Sequence, residues 1–291
     1  DDGWAVSSGG DLSLPQQSVS KLWVAMTILD LRDRDRLTID EPISVGRSDL
    51  TLFHQPVAAL VLKNGAYNTT VGDLLTRALT QSDNTANDRL LRRAGGPAAV
   101  RAFIADHALG AIRFGPGERL LQSGTAGLTW NQSMSLSRGF EAARARLPDA
   151  TRAAALQRYI DNPPDGASPL AITAALGRLA RGELLSETST RYLLQTMSAT
   201  VTGRARLRAA TPPGWRIAHK TGTGQDYRGR NAGFNDIGLL TAPDGKRYAI
   251  AVMIGDTRAP MRQRQALIQS VCSLLTGGRT GTGGAEYEGD N

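Results

Sequence analysis

From Ser18 to Arg32 the apolar residues Leu22, Val24, Ala25, Ile28 and Leu29 recur at helical spacing, behind serines able to cap the run. Val71 to Leu79 predicts a second helix, and Asn87 to Arg93 a third, stopped at Gly95–Gly96. Pro97 to His107 opens a further helix with proline in its first turn. The stretch "RGFEAARARLPDATRAAALQRYIDNPPDG" is rich in Ala and Arg and reads as helical apart from Pro148, ending at Pro163–Pro164. "SPLAITAALGRLARGELLS" predicts an amphipathic helix with Leu170, Ile172, Leu176 and Leu179 on its apolar side. The period then changes. "GWRIAHKTGTG" and "NAGFNDIGLLTAPDGKRYAIAVMIG" read as strand, hairpin and strand, turning at Pro243–Asp244–Gly245. A last helix covers Arg262 to Leu275, and the Gly-rich tail from residue 276 to 291 is expected to be flexible. Helices first and antiparallel strands later predict an α+β fold in two lobes, not a βαβ repeat.

Composition narrows the function only a little. At 291 residues, 41% hydrophobic and 21% charged, the chain is an ordinary globular protein able to bury a core. The net charge of +7 raises nucleic acid as a partner. The arginines are scattered, however, and aromatics are only 5%, so no nucleic-acid partner is expected. Cys272 stands alone, which excludes an internal disulfide and predicts a buried, inert thiol. Three separated histidines and one cysteine make no zinc site, and no cofactor is implied. No apolar run approaches the ~18–20 residues of a membrane span. No signal peptide is visible, so the expectation is a cytoplasmic chain or a mature form trimmed ahead of Asp1.

Lysine is more telling. Of 34 basic residues only Lys21, Lys63, Lys220 and Lys246 are lysines. Where arginine is the habitual cation, lysine marks positions needing an amine that can release a proton. Ser18 and Lys21 are three apart and share a helix face, so the lysine can act as base for the serine hydroxyl. "SDN" at Ser82–Asn84 is a weak motif alone, and "HKTGTG" at His219–Gly224 could be a strand edge carrying a solubilising lysine. In the order Ser-x-x-Lys, Ser-Asp-Asn, Lys-Thr-Gly the three are specific. No G-x-S-x-G elbow exists for a Ser-His-Asp arrangement.

The sequence thereby resembles the penicillin-recognising serine hydrolases, class A β-lactamases above all. The resemblance runs from about Leu14 to Leu275 through "LPQQSVSK", "TQSDNTANDRLL", "GGPAAVRAFI", "DGASPLAI", "RLARGELLS", "TGRARLRAATPPGW" and "HKTGTG". It implies a β-lactamase/transpeptidase-like fold over residues 1–275, with a helical lobe at about 18–198 and a sheet lobe from about 1–17 and 199–275. It also implies Ser18 as acylated nucleophile, Lys21 as its proton acceptor and Ser82 as proton donor to the leaving nitrogen. Asn84 would hold the substrate amide, and Lys220, Thr221, Gly222, Thr223 and Arg206 its carboxylate. The backbone N–H groups of Ser18 and Thr223 would form the oxyanion hole. Glu118, in "GERLLQ", matches the base that activates the deacylating water, and Gln122 replaces the usual asparagine.

Three departures accompany the resemblance. Roughly forty residues separate Gln122 from Asp165, where the family has under ten, and part of them reads as an extra helix or helix pair. Pro116 stands where the family's arginine pins the glutamate loop to the aspartate matching Asp165. Only seventeen residues precede Ser18, too few for the family's first helix and strand, so those elements are expected to be trimmed or supplied from elsewhere. His219 reads as a packed strand residue or as a modifier of the field at Lys220, while His54 and His107 read as structural, His54 alternatively bordering the cleft. Arg228 and Arg230 extend the expected basic rim. The leading expectation is a monomeric, periplasmic or secreted serine β-lactamase acting on a small-molecule β-lactam. The alternatives are a D-alanyl-D-alanine peptidase or esterase on a peptidoglycan-like acyl donor, and a sensor that stays acylated.

Overall fold

Helix α1 (Lys21–Asp33) carries the first predicted apolar run and is buried on every side from Lys21 to Leu29. All-round burial makes it the central helix of the protein. It begins at Lys21 because Gln17–Ser20 form a 3-10 turn ahead of it. The computed structural model describes residues 4–136 and 138–277, and the tail beyond Gly277 lies outside the described residues. The remaining helices are α2 (Val57–Asn64), α3 (Val71–Thr76), α4 (Asn84–Arg93), α5 (Pro97–Asp106), α6 (Glu118–Thr125), α7 (Gly139–Ala145), α8 (Asp149–Asp161), α9 (Pro169–Ala180), α10 (Glu187–Ser198) and α11 (Met261–Leu275). Helices α4, α5 and α10 pack directly on α1.

Two short strands, β1 (Leu14–Pro15) and β4 (Gly166–Ala167), pair antiparallel, as do β2 (Pro42–Gly46) and β3 (Ala66–Thr70). The main sheet consists of β5 (Arg216–Thr223), β8 (Phe234–Thr241) and β9 (Arg247–Ile254), antiparallel in the order β5-β8-β9. Between β5 and β8 lies a two-stranded ladder of β6 (Asp226–Tyr227) and β7 (Arg230–Asn231). The β8–β9 turn closes at the predicted place, with Gly245 N–H donating to Ala242 O and Gly245 at φ 88°. One sheet face, through Ile237 and Leu239, joins the core of α1, α9 and α10. The other packs Ile217, Leu240, Ile250 and Val252 against Ile268 and Cys272 of α11. The mixed helix-and-antiparallel-sheet architecture is the expected α+β class.

Several elements differ from their sequence-based expectations for identifiable reasons. The helix predicted over 71–79 ends as α at Thr76, and a π turn over Arg77–Gln81 delivers Ser82 in the left-handed region at φ 60°. The helix predicted over 168–186 stops at Ala180, because Gly182 takes φ 75°. Helix α10 is rich in Ser, Thr and Tyr, which blur its apolar stripe, although Ser186 caps it by accepting from Ser189 N–H. Helix α2 and the β2–β3 pair were also not anticipated; these strands pair across a long connection with no hairpin turn to announce it. The extra segment forms the pair α7 and α8, separated at Pro148. Among the described residues no helix is long and apolar enough to cross a membrane.

Truncating α1 tests this arrangement. Leu22→Ala, at a position with no exposure, should cost about 3 kcal/mol in urea unfolding. Val6→Ala, at a site 87% exposed, should change stability by less than ~0.5 kcal/mol.

Candidate active site

Ser18 sits in the 3-10 turn, one turn before the amine that reaches back to it. Lys21 Nζ donates to Ser18 Oγ at 2.6 Å and to Asn84 Oδ1 at 2.9 Å, and it forms a close ion pair with Glu118 Oε1. Three donors therefore meet three acceptors, the full capacity of an ammonium group. Lys21 and Glu118 are both buried. Glu118 Oε2 is also buried but bonds to no protein atom, which leaves one carboxylate oxygen free to accept a proton from a water.

A second amine faces the first. Lys220 on β5 is fully buried and donates to Ser82 Oγ at 2.9 Å and to Thr221 O at 3.0 Å. Burial first, and the nearby Lys21 cation second, push its pKa well below that of a free lysine. Ser82 reaches it from the left-handed turn. Asp83 then caps α4, accepting from Ala86 N–H at 2.9 Å, and also accepts from Val57 N–H at 2.7 Å. Asn84 holds its amide between Leu52 O at 2.9 Å and Lys21.

Arg206 braces the end of β5. Its guanidinium donates to Gly222 O at 3.0 Å, to Asn235 O at 2.6 Å and to Thr223 Oγ1, over the Phe234 ring. Burial lowers its pKa to about 10, so it remains a cation at neutral pH. Gly222 is required for close approach, since a Cβ there would stand 2.3 Å from Gln16 O, beside the turn that carries Ser18. A cleft of about 320 Å³ connects Ser18, Ser82, Asn84, Gln122, Arg206, Thr221 and Thr223. His54 borders it too. His219 is fully buried, its Nδ1 at 2.8 Å from Asp236 Oδ1, one residue from Lys220. Arg228 and Arg230 do not line the cleft. They are engaged by Asp149 at 3.0 Å and Asp256 at 2.7 Å.

The structure supplies the missing pin of the glutamate segment. Asp165 Oδ2 accepts from Gln17 N–H at 2.8 Å and from Tyr159 Oη at 3.1 Å, and Tyr159 lies on the inserted α8. Gln17 Nε2 in turn donates to Tyr159 Oη at 2.7 Å and to Ala232 O at 2.8 Å. Gln122 Nε2 donates to Gln17 Oε1 at 3.0 Å, and Gln225 Nε2 donates to Gln122 O and Oε1 at 2.8 and 3.1 Å. On the other side Asp88 accepts from Glu118 N–H at 2.8 Å and Arg119 N–H at 3.2 Å, capping the helix that presents Glu118. Gln16, Gln17, Asp88, Tyr159 and Gln225 were not singled out from the sequence. Their side chains bond backbone and one another, a role that leaves no motif.

Burial raises the pKa of Asp88 to about 6, with the neighbouring Glu118 charge as the second cause. A carboxyl whose folded pKa is raised binds protons more tightly when folded, so its contribution to stability is lost as pH climbs through about 6. Asp88→Asn should remove that dependence. The unfolding free energy of the variant should fall less than that of the wild type between pH 4.5 and 7.5, by about 2 kcal/mol. Urea titrations at the two pH values measure it.

Known proteins resemble this chain in sequence and fold. A family model described as "Beta-lactamase enzyme family" matches residues 1–277. The extended-spectrum β-lactamase PER-1 of Pseudomonas aeruginosa is 28% identical over 257 residues, covering 88% of this chain and 72% of that protein. The β-lactamase Toho-1 of Escherichia coli is 25% identical over 261 residues, covering 90% and 75%. Among solved structures, a β-lactamase from Chitinophaga pinensis superposes with a TM-score of 0.75 at 26% identity, covering 94% of this chain and 88% of the other. The TLA-1 extended-spectrum β-lactamase gives 0.76 at 26% identity with the same coverage. With the family matched over residues 1–277 and the fold shared, this chain is a member of the Beta-lactamase enzyme family.

Proposed function

We propose that the protein hydrolyses the amide of β-lactams through an acyl intermediate on Ser18, released by water that Glu118 activates. The observation that carries this reading is the junction of Ser18, Lys21, Asn84 and Glu118 in one buried hydrogen-bonded cluster. In the resting state Lys21 donates all its protons. Transfer of one to Glu118 makes Lys21 a free amine, which accepts the Ser18 proton as Oγ attacks the carbonyl. The backbone N–H groups of Ser18 and Thr223 receive the oxyanion. Ser82 hands its proton to the departing nitrogen and is reprotonated from Lys220, whose lowered pKa favours giving one up. Arg206 and Lys220, with Thr221 and Thr223, supply the field for the substrate carboxylate. The Glu118 proton passes to Lys220, left neutral when it reprotonates Ser82, and the regenerated Glu118 carboxylate then uses the free Oε2 on the deacylating water.

One catalytic unit, residues 1–275, acting as a periplasmic or secreted monomer, belongs to the same proposal. A slower reading, a peptidase or a penicillin-binding sensor, draws on a specific contact. Both ends of the Gln122 carboxamide are engaged by Gln17 and Gln225, so it is poorly placed to help hold a water. Turnover separates the two. The wild type should hydrolyse a chromogenic cephalosporin catalytically, and Glu118→Ala should slow turnover by about 10²–10⁴-fold while accumulating an acyl adduct visible by intact mass. A stable adduct in the wild type would select the sensor or peptidase instead.

A further inference from the structure

The inserted helices reach the rim of the cleft, and the contact they make there is both aromatic and cationic. Phe140 of α7, only 2% exposed, meets Phe53 edge-on with ring centroids 4.9 Å apart and planes at 76°. Phe53 lines the cleft from a left-handed backbone at φ 60°. A non-glycine residue held in that region signals a position fixed by its surroundings. One helical turn beyond Phe140, the Arg144 guanidinium lies 5.3 Å over the Phe140 ring. Among the described residues its guanidinium makes one hydrogen bond, a long one, Nη1 to Gln225 Oε1 at 3.4 Å. Gln225 itself lines the cleft, two residues past Thr223, with its amide nitrogen spent on Gln122.

Charge balance separates Arg144 from its neighbours. Arg228 is paired with Asp149 and Arg230 with Asp256, and Arg152 stacks on Tyr227 at 4.5 Å. Among the described residues no carboxylate stands within ion-pair distance of Arg144. It is half-buried on an aromatic face, which orients the guanidinium plane and reduces the freedom lost on binding. A neutral carboxamide oxygen at 3.4 Å is a weak partner for it, and a carboxylate would be a much stronger one. Glu141, on the same helix, is exposed.

We propose that Arg144 forms an anion subsite at the end of the cleft lined by Phe53 and Gln225, with Phe140 behind Phe53, selecting β-lactams that carry a second carboxylate on an aryl side chain. The proposal rests on the β-lactamase reading and names its substrate class. A dianionic substrate would place its ring carboxylate toward Arg206 and Lys220, its aryl group against Phe53, and its side-chain carboxylate at Arg144. Binding at the remote anion involves no reacting atom, so it acts on KM far more than on kcat.

Steady-state kinetics on carbenicillin and benzylpenicillin, which differ by that one side-chain carboxylate, test this. In the wild type carbenicillin should show the lower KM, and the advantage should shrink as salt is raised. Arg144→Gln should raise KM for carbenicillin about tenfold more than for benzylpenicillin, and Arg144→Lys should restore part of the difference. Equal changes for the two penicillins, or none, would overturn the subsite while leaving β-lactam hydrolysis intact. Failure of the wild type to hydrolyse either penicillin would overturn the parent reading together with the subsite.

Discussion

The carboxylate of Asp165 is the contact on which the site depends. Gln17, the residue before Ser18, adopts φ 55°, a conformation that costs on the order of 1–3 kcal/mol for a side chain of its kind. Asp165 offsets that cost by accepting the Gln17 N–H, and it also accepts the Tyr159 hydroxyl. Tyr159 and Ala232 then receive the Gln17 amide, so α8, the segment leading into β8 and the turn that carries Ser18 share one knot. The arrangement is expensive electrostatically: burial raises the pKa of Asp165 to about 6 and that of Tyr159 well above the usual phenol value. Geometry is being held at the expense of solvation, as is common where catalytic groups must not move.

Charge in the cleft follows a related logic. Lys21, Lys220 and Arg206 bring three cations into a protein interior, and Glu118 and Asp236 are the buried anions placed among them. Lys21 is matched directly by Glu118, Arg206 by carbonyl oxygens and the Phe234 ring, and Lys220 by two neutral oxygens. Lys220 is thus the least compensated of the three, and its pKa falls accordingly. A proton-donating group at Ser82 and an ion-paired group at Ser18 arise from the same residue type by environment alone.

Much of this was legible in the chain. The scarcity of lysine and the ordered triplet of motifs singled out Ser18, Lys21, Ser82, Asn84 and Lys220, which the fold brings together through hydrogen bonds. The 3.6- and 2-residue periods located α1, α5, α9, α11 and the β8–β9 hairpin. The supporting groups were illegible for a physical reason. Asp88 accepts from a backbone N–H 30 residues away and Gln17 bonds Tyr159 across 142 residues, and no local pattern encodes such a partner. Pro116 in place of an arginine signalled that another pin must exist, but only the folded insertion shows that it is Tyr159 with Gln17.

The central claim is that an insertion absent from the ordinary family pattern holds the nucleophile in place. Stopped-flow measurement of the acylation rate on Tyr159→Phe, which deletes only the hydroxyl shared by Gln17 and Asp165, tests it most directly. The account predicts a variant that stays folded and acylates at least about tenfold more slowly, since small displacements of a nucleophile cost rates of that order or more. Acylation at the wild-type rate would contradict it, and would mean that the turn at Ser18 holds its shape without help from the inserted helix.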